Sequence, residues 1–183
     1  MSNIVNLSFF VGDINIPNTG QPAVGTRVTE YINKYEPECL LKLLGYPLYK
    51  VFGSETSQRM ADLLDGVEYV DYEGYTQYWK GLKHDTTQSL IAYYIFYHWL
   101  KDTHTQVIGM GTTSVNKGDG SVVVIPMERM VSTWNSFSEE GHECLAFLWN
   151  QTDIYGYRVY PEFTSYQFQK SWLFSGMMNT FAL

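Results

Sequence analysis

A mainly α-helical fold is what this sequence predicts: a small helical bundle carrying one or two β-hairpins or extended arms and ending in an aromatic tail. Three observations predict it. The segment SLIAYYIFYHWLK, Ser89 to Lys101, is apolar around nearly its whole circumference, the pattern of a helix buried on every side. From Met127 to Leu148 the apolar residues recur at helical spacing along one face and polar residues take the other. A Tyr-rich stretch precedes the first of these helices and a Gly-rich stretch separates the two, each mixing turn signals with strand-preferring residues.

Length and composition bound the rest. A chain of 183 residues, 45% of them apolar, supports one good core, so a single domain spanning 1–183 is expected. Its parts are an extended arm over 1–25, a helical core over 26–150 with a hairpin near 67–79 and a projecting arm over 105–125, and an aromatic tail over 151–183. Phe, Trp and Tyr make up 16% of the residues, which suits a protein that buries extra surface against neighbours. The formal net charge of −7 offers no electrostatic footprint for gripping nucleic acid, and the few Lys and Arg are scattered singly. The opening MSNIVNLSFFVGD lacks the basic region and apolar core of a signal peptide, and no stretch approaches a membrane span, so folding in a cytoplasm is expected. There Cys39 and Cys144 stay reduced; each sits in an apolar helical pattern and reads as a small core residue.

In chain order, Gly12, Pro17, Gly20, Pro22 and Gly25 surround one alternating piece, Phe10 to Ile16, which predicts an arm with a short strand. A helix is expected from about Thr26, with Pro37 marking a kink or a new start. Leu40, Leu41, Leu43 and Leu44 face a core, Gly45 offers a left-handed stop, and Pro47 restarts a short turn holding Leu48 and Phe52. Ser54 to Leu64 predicts a brief helix closed by Asp65-Gly66, and Val67 to Trp79 a β-hairpin around Tyr72-Glu73-Gly74. Asp85 with Gln88 forms a variant capping box ahead of the all-apolar helix. Pro126 starts the last clear helix. Its stripe is Met127, Met130, Val131, Trp134, Phe137, Gly141, Leu145 and Leu148, and Gly141 allows another helix close approach. From Gln151 onward aromatic residues alternate with glycine and proline; such a tail either wraps the bundle or docks on a neighbour. No internal repeat is apparent.

No motif carries chemistry. The stretch VIGMGTTSVNKGDGSVVVIP, from Val107 to Pro126, resembles a phosphate loop only superficially, because such a loop follows a strand and opens directly into a helix. Here the glycines follow a helix, no Gly-Lys-Ser/Thr end is present, and Asn116 to Ser121 reads as a turn between two extended arms. His142-Glu143 begins like a zinc-protease helix motif, but Ala146 stands where the second His belongs. His98 and Asp102 share a helix face and read as a solvated or capping pair; Glu139, Glu140 and Glu143 read as solubilising charges. No catalytic residue, cofactor or metal ligand is therefore expected.

Together YINKYEPECLLKLLGYPLYKVFG (Tyr31 to Gly53), DLLDG (Asp62 to Gly66), YWKGLKH (Tyr78 to His84), the all-apolar helix and MERMVSTWNSF (Met127 to Phe137) resemble a family of small virion proteins. These are the head–tail connector, or head-completion adaptor, proteins of tailed bacteriophages, in the form carried by phages of Bacteroides-like hosts. The resemblance runs from about Phe9 to Leu183 and includes the Asn179-Thr180-Phe181 ending. It implies a small helical bundle with a projecting loop or hairpin, assembled as a dodecameric ring under the portal protein at the neck of the virion. Tail or further ring proteins are then the other partners, DNA crosses the lumen without specific binding, and no membrane is involved. The expected contact residues are Val107, Met110, Val122, Val123, Val124 and Ile125 of the arm, and Tyr160, Phe163, Trp172 and Phe174 of the tail. Two other classes remain open: a small phage-associated enzyme or lysis factor with a spatially assembled site, and an aromatic nucleic-acid-binding module, which lacks the expected basic groove.

Overall fold

The structure, a computed structural model, describes residues 3–84, 89–103, 105–108, 111–114 and 127–178. It is mainly α-helical. Helix α1 spans Pro22–Ser54, α2 Gln58–Asp65, α3 Leu90–Thr103, α4 Met127–Asn150 and α5 Ser165–Phe174. Strands β1 (Val67–Val70) and β2 (Thr76–Trp79) pair antiparallel with Val67 opposite Trp79, and β3 (Thr105–Ile108) and β4 (Gly111–Ser114) pair antiparallel with Ile108 opposite Gly111. One continuous apolar core runs from Val5 to Phe163.

Helix α3 is the centre of the bundle. Leu90, Ile91, Ala92, Tyr94, Ile95, Phe96 and Leu100 are buried, and Lys101 is its one exposed residue, as an apolar circumference requires. The expected cap at Asp85 and Gln88 lies outside the described residues. Tyr94 packs 5.3 Å from Phe137 and Tyr97 4.9 Å from Trp134, so α3 and α4 run antiparallel. Tyr35 lies 6.3 Å from Tyr94 and Tyr31 5.1 Å from Trp99, which sets the first half of α1 antiparallel to α3 as well. The start of α1, the end of α3 and the start of α4 therefore share one end of the molecule.

Helix α1 begins with Pro22 in its first turn and keeps helical dihedrals through Pro37. The break comes at Gly45, with φ 75° and ψ 158°. A break there strands two carbonyls: Pro47 has no N–H for Leu43, and the Gly45 dihedrals move Tyr46 away from Lys42. Helix α5 supplies the missing donors. Ser171 Oγ donates to the Leu43 carbonyl at 2.7 Å, while Gln167 Nε2 donates to the Lys42 carbonyl at 3.0 Å and to Ser171 Oγ at 2.7 Å. A Cβ at Gly45 would lie 2.5 Å from Gln167 Cδ, so glycine serves both the dihedrals and the close approach.

The described parts of both the arm and the tail contribute to the core. The arm holds no strand over Phe10 to Ile16; it makes two 3-10 turns, Leu7–Phe9 and Gly12–Ile14, and buries Val5, Phe9, Phe10, Ile14 and Ile16. The alternating pattern was a burial signal without a partner strand to pair with. The arm is latched by Glu36, a buried carboxylate that accepts from the Ile4 and Val5 N–H groups at 2.8 and 2.9 Å. Burial raises its pKa, and the two N–H groups oppose that rise.

The tail contains a helix, α5, that the loosened pattern concealed. Tyr160 and Phe163 are fully buried, and Phe174 packs 5.3 Å from Phe137. Tyr160 Oη donates to the Arg59 carbonyl at 2.6 Å, and the Arg59 guanidinium bridges Glu55 and Glu162, so α2 and the tail are tied together. Gly141 meets the end of α5: a Cβ there would sit 3.1 Å from Ser175 Cβ. Cys39 and Cys144 are buried free thiols, their pKa values pushed up by burial.

Candidate interaction surface

Among the described residues, the titratable groups that stand out in the sequence are packed against aromatic rings or paired. His98 stacks on Tyr35 with ring centroids 4.0 Å apart and meets the edge of Tyr94; burial lowers its pKa to about 4. Asp102 accepts from Tyr31 Oη at 3.0 Å. The two are thus held in an aromatic layer between α1 and α3, a correction to the reading of a solvated or capping pair. His142 stacks on Trp172 at 4.1 Å. Glu140 and Glu143 pair with Lys80 at 3.0 and 3.2 Å, and Glu139 is exposed. Among the described residues no group of three or more His, Cys, Asp or Glu side chains is placed to hold a metal ion, and no helix is long and apolar enough to cross a membrane.

What the described surface does carry is large apolar side chains. The Gly-rich stretch opens as the β3–β4 hairpin: Gly111 begins a strand and not a helix, and Val107 lies in β3 opposite Thr112. This hairpin follows the end of α3 and, among the described residues, pairs with no other strand. Met110, Val122, Val123, Val124, Ile125 and the expected turn over Asn116 to Ser121 lie outside the described residues.

A second surface forms at the opposite end. Trp79 stacks on Phe147 at 5.5 Å while Lys80 reaches back to Glu140, so β2 runs antiparallel to α4. The β1–β2 turn therefore projects past Phe147 toward the end of α4, where the segment after Asn150 also projects. Both projections are built alike. In each, an aspartate Oδ1 accepts from the N–H groups two and four residues on: Asp71 from Glu73 and Tyr75, at 3.0 and 2.9 Å, and Asp153 from Tyr155 and Tyr157, at 2.9 and 2.8 Å. The Asp71 N–H donates to the Tyr75 carbonyl and the Asp153 N–H to the Tyr157 carbonyl, and Gly74 and Gly156 take φ of 90° and 80°. Asp71-Tyr-Glu-Gly-Tyr75 and Asp153-Ile-Tyr-Gly-Tyr157 are thus two copies of one turn, a five-residue repeat that the absence of any longer repeat conceals. The spacing Asp-x-x-Gly-Tyr was its signal. Both turns display bare side chains: Tyr72, Tyr75, Ile154, Tyr155 and Tyr157 are all more than 60% exposed, Ile154 at 91%.

The third surface is the outer face of α5, where Tyr166 and Leu173 are exposed and Phe168, Gln169, Trp172 and Leu173 line an apolar depression, with exposed Met177 following the helix. Of the four tail residues expected at an interface, Trp172, 48% exposed, is the one the surface retains. Tyr160 and Phe163 are corrected to core positions, because burying them within the chain removes the same apolar area from water without a neighbour, and Phe174 is half-buried against that core. Comparison with protein-family models, with curated proteins and with solved structures finds no match for this chain.

Proposed function

We propose that this chain is a structural virion protein: a subunit of the ring at the head–tail interface of a tailed bacteriophage, joining the portal to tail components around the DNA passage. One observation carries the reading beyond the sequence resemblance. Among the described residues the bundle bears unlike features at its two ends, the β3–β4 hairpin at one and the paired aromatic turns at the other, with the apolar outer face of α5 as a third. A subunit that meets its own copies head to tail, and different proteins above and below, needs unlike faces of this kind. The acidic balance suits a channel through which DNA slides without sticking. The aromatic turns do not favour nucleic-acid stacking, since Glu68, Asp71, Glu73 and Asp153 stand among them with no Lys or Arg in either turn.

Native mass measurement and electron microscopy of the purified chain, alone and with the portal protein of the same phage, test the reading. A ring, dodecameric if the resemblance holds, or a stoichiometric complex with the portal is the expected result. A monomer that ignores the portal overturns it.

A further inference from the structure

The paired turns at the end of α4 present five large side chains to solvent: Tyr72, Tyr75, Ile154, Tyr155 and Tyr157. A bare patch of this size marks a docking surface, and its charge selects what docks. Between Gly66 and Trp79, and between Asn150 and Tyr157, the chain has four carboxylates, Glu68, Asp71, Glu73 and Asp153, and no Lys or Arg. The cations at the roots of the turns are engaged elsewhere. Lys80 pairs with Glu140 and Glu143, Arg59 with Glu55 and Glu162, and Arg158 covers Trp149 while donating to the Phe163 carbonyl at 2.6 Å. The patch is thus aromatic and uniformly acidic.

We infer that this end of the molecule receives an arginine-rich segment of a partner protein, whose guanidinium groups lie over the tyrosine rings while the neighbouring carboxylates balance their charge. A planar guanidinium stacks on an aromatic face and donates in-plane to carboxylates, which ammonium does less well. The chain uses guanidinium contacts on Trp and Phe rings internally: Arg158 lies 4.1 Å from the Trp149 ring centre, Arg129 4.8 Å from Phe96 and Arg27 5.2 Å from Trp99, while Lys34 and Lys42 lie over Tyr35 and Tyr94. Phosphate-bearing ligands are repelled by the four carboxylates. A copy of the same patch brings like charge and is disfavoured for the same reason. The inference does not depend on ring formation.

The test is binding of a labelled peptide of about six Arg-Gly repeats to the full chain, followed by fluorescence anisotropy at low and moderate salt, with a Glu-Gly peptide as control. The combined variant Tyr72→Ser, Tyr75→Ser, Tyr155→Ser, Tyr157→Ser keeps the net charge and the backbone hydrogen bonds of both turns. It is expected to weaken binding by about tenfold or more. Unchanged binding reduces the effect to net charge and overturns the inference, as does equal binding of the Glu-Gly peptide. Concentration-dependent self-association abolished by the same variant also overturns it, by making a second copy the occupant. Should the variant fail to fold, Glu68→Gln with Glu73→Gln is compared with Glu128→Gln plus Glu139→Gln, an equal charge change on α4. Weakening by the first pair alone supports the docking site, and equal or no weakening by both overturns it.

Discussion

His98 shows how a residue that resembles a ligand becomes a pH-dependent part of the core. Its ring lies face to face with Tyr35 and edge-on to Tyr94, with Glu38, Asp102, Lys42 and Lys101 as its charged neighbours, and desolvation holds its pKa at about 4. The unfolded chain therefore binds a proton between about pH 6.5 and 4 that the folded chain does not, so stability is full above that window and falls as the pH is lowered through it. Glu36 acts in the opposite sense: its raised pKa gives stability that is full below the ordinary glutamate range and declines as pH rises through its folded value. Thermal melts from pH 7 to pH 5 are expected to show a loss of about 1 to 2 kcal/mol attributable to His98. His98→Phe keeps the ring contacts without the titration and is expected to flatten that dependence; an unaltered slope would assign it to other groups.

At the scale of elements, the joint between α1 and α5 is where local and long-range demands meet. Gly45 and Pro47 break α1, and Gln167 and Ser171 of α5 take up the carbonyls the break exposes. Ser171→Ala leaves the buried Leu43 carbonyl without a donor and is expected to cost about 1 to 3 kcal/mol. Gly45→Ala forces a Cβ into a left-handed conformation and against Gln167, with an expected cost of similar or greater size. Urea unfolding of the two variants and of their combination measures the coupling. Non-additive losses are expected, because both changes act on one joint; strict additivity would show that α5 docks independently of the break.

At the scale of the whole molecule, the described arm and tail residues close the core. Truncation before Ser165 removes α5 together with the Phe168 and Phe174 contacts, and is expected to destabilise the monomer itself by at least about 3 kcal/mol. Circular dichroism melts of the truncated and full chains check this. A truncated chain that melts as the full one does, and loses only assembly, would return the tail to the role of a docking arm. Such a result would separate folding from the proposed interaction surfaces: the β3–β4 hairpin, the aromatic turns and the outer face of α5.

Local pattern was sufficient wherever a residue's environment follows from its neighbours in sequence. The all-apolar α3, the stripe of α4, the stop at Asp65-Gly66 and the hairpin around Tyr72-Glu73-Gly74 are all legible, because helical period, turn chemistry and burial agree there. Residues with two available partners were not legible. Phe10 to Ile16 alternates as a strand does, yet the fold offers it a bundle surface and no strand, so it turns twice and buries the same side chains. Helix α5 has a weak apolar face because half of its anchoring is polar, through Ser171 and Gln167 to carbonyls more than a hundred residues away in sequence. The placement of Tyr160 and Phe163 in the chain's own core, and of Tyr155 and Tyr157 in solvent, is likewise decided by tertiary packing. Aromatic residues of one composition are sorted inward or outward by the space that α2, α4 and Phe147 leave for them, and that space exists only once the distant helices have come together.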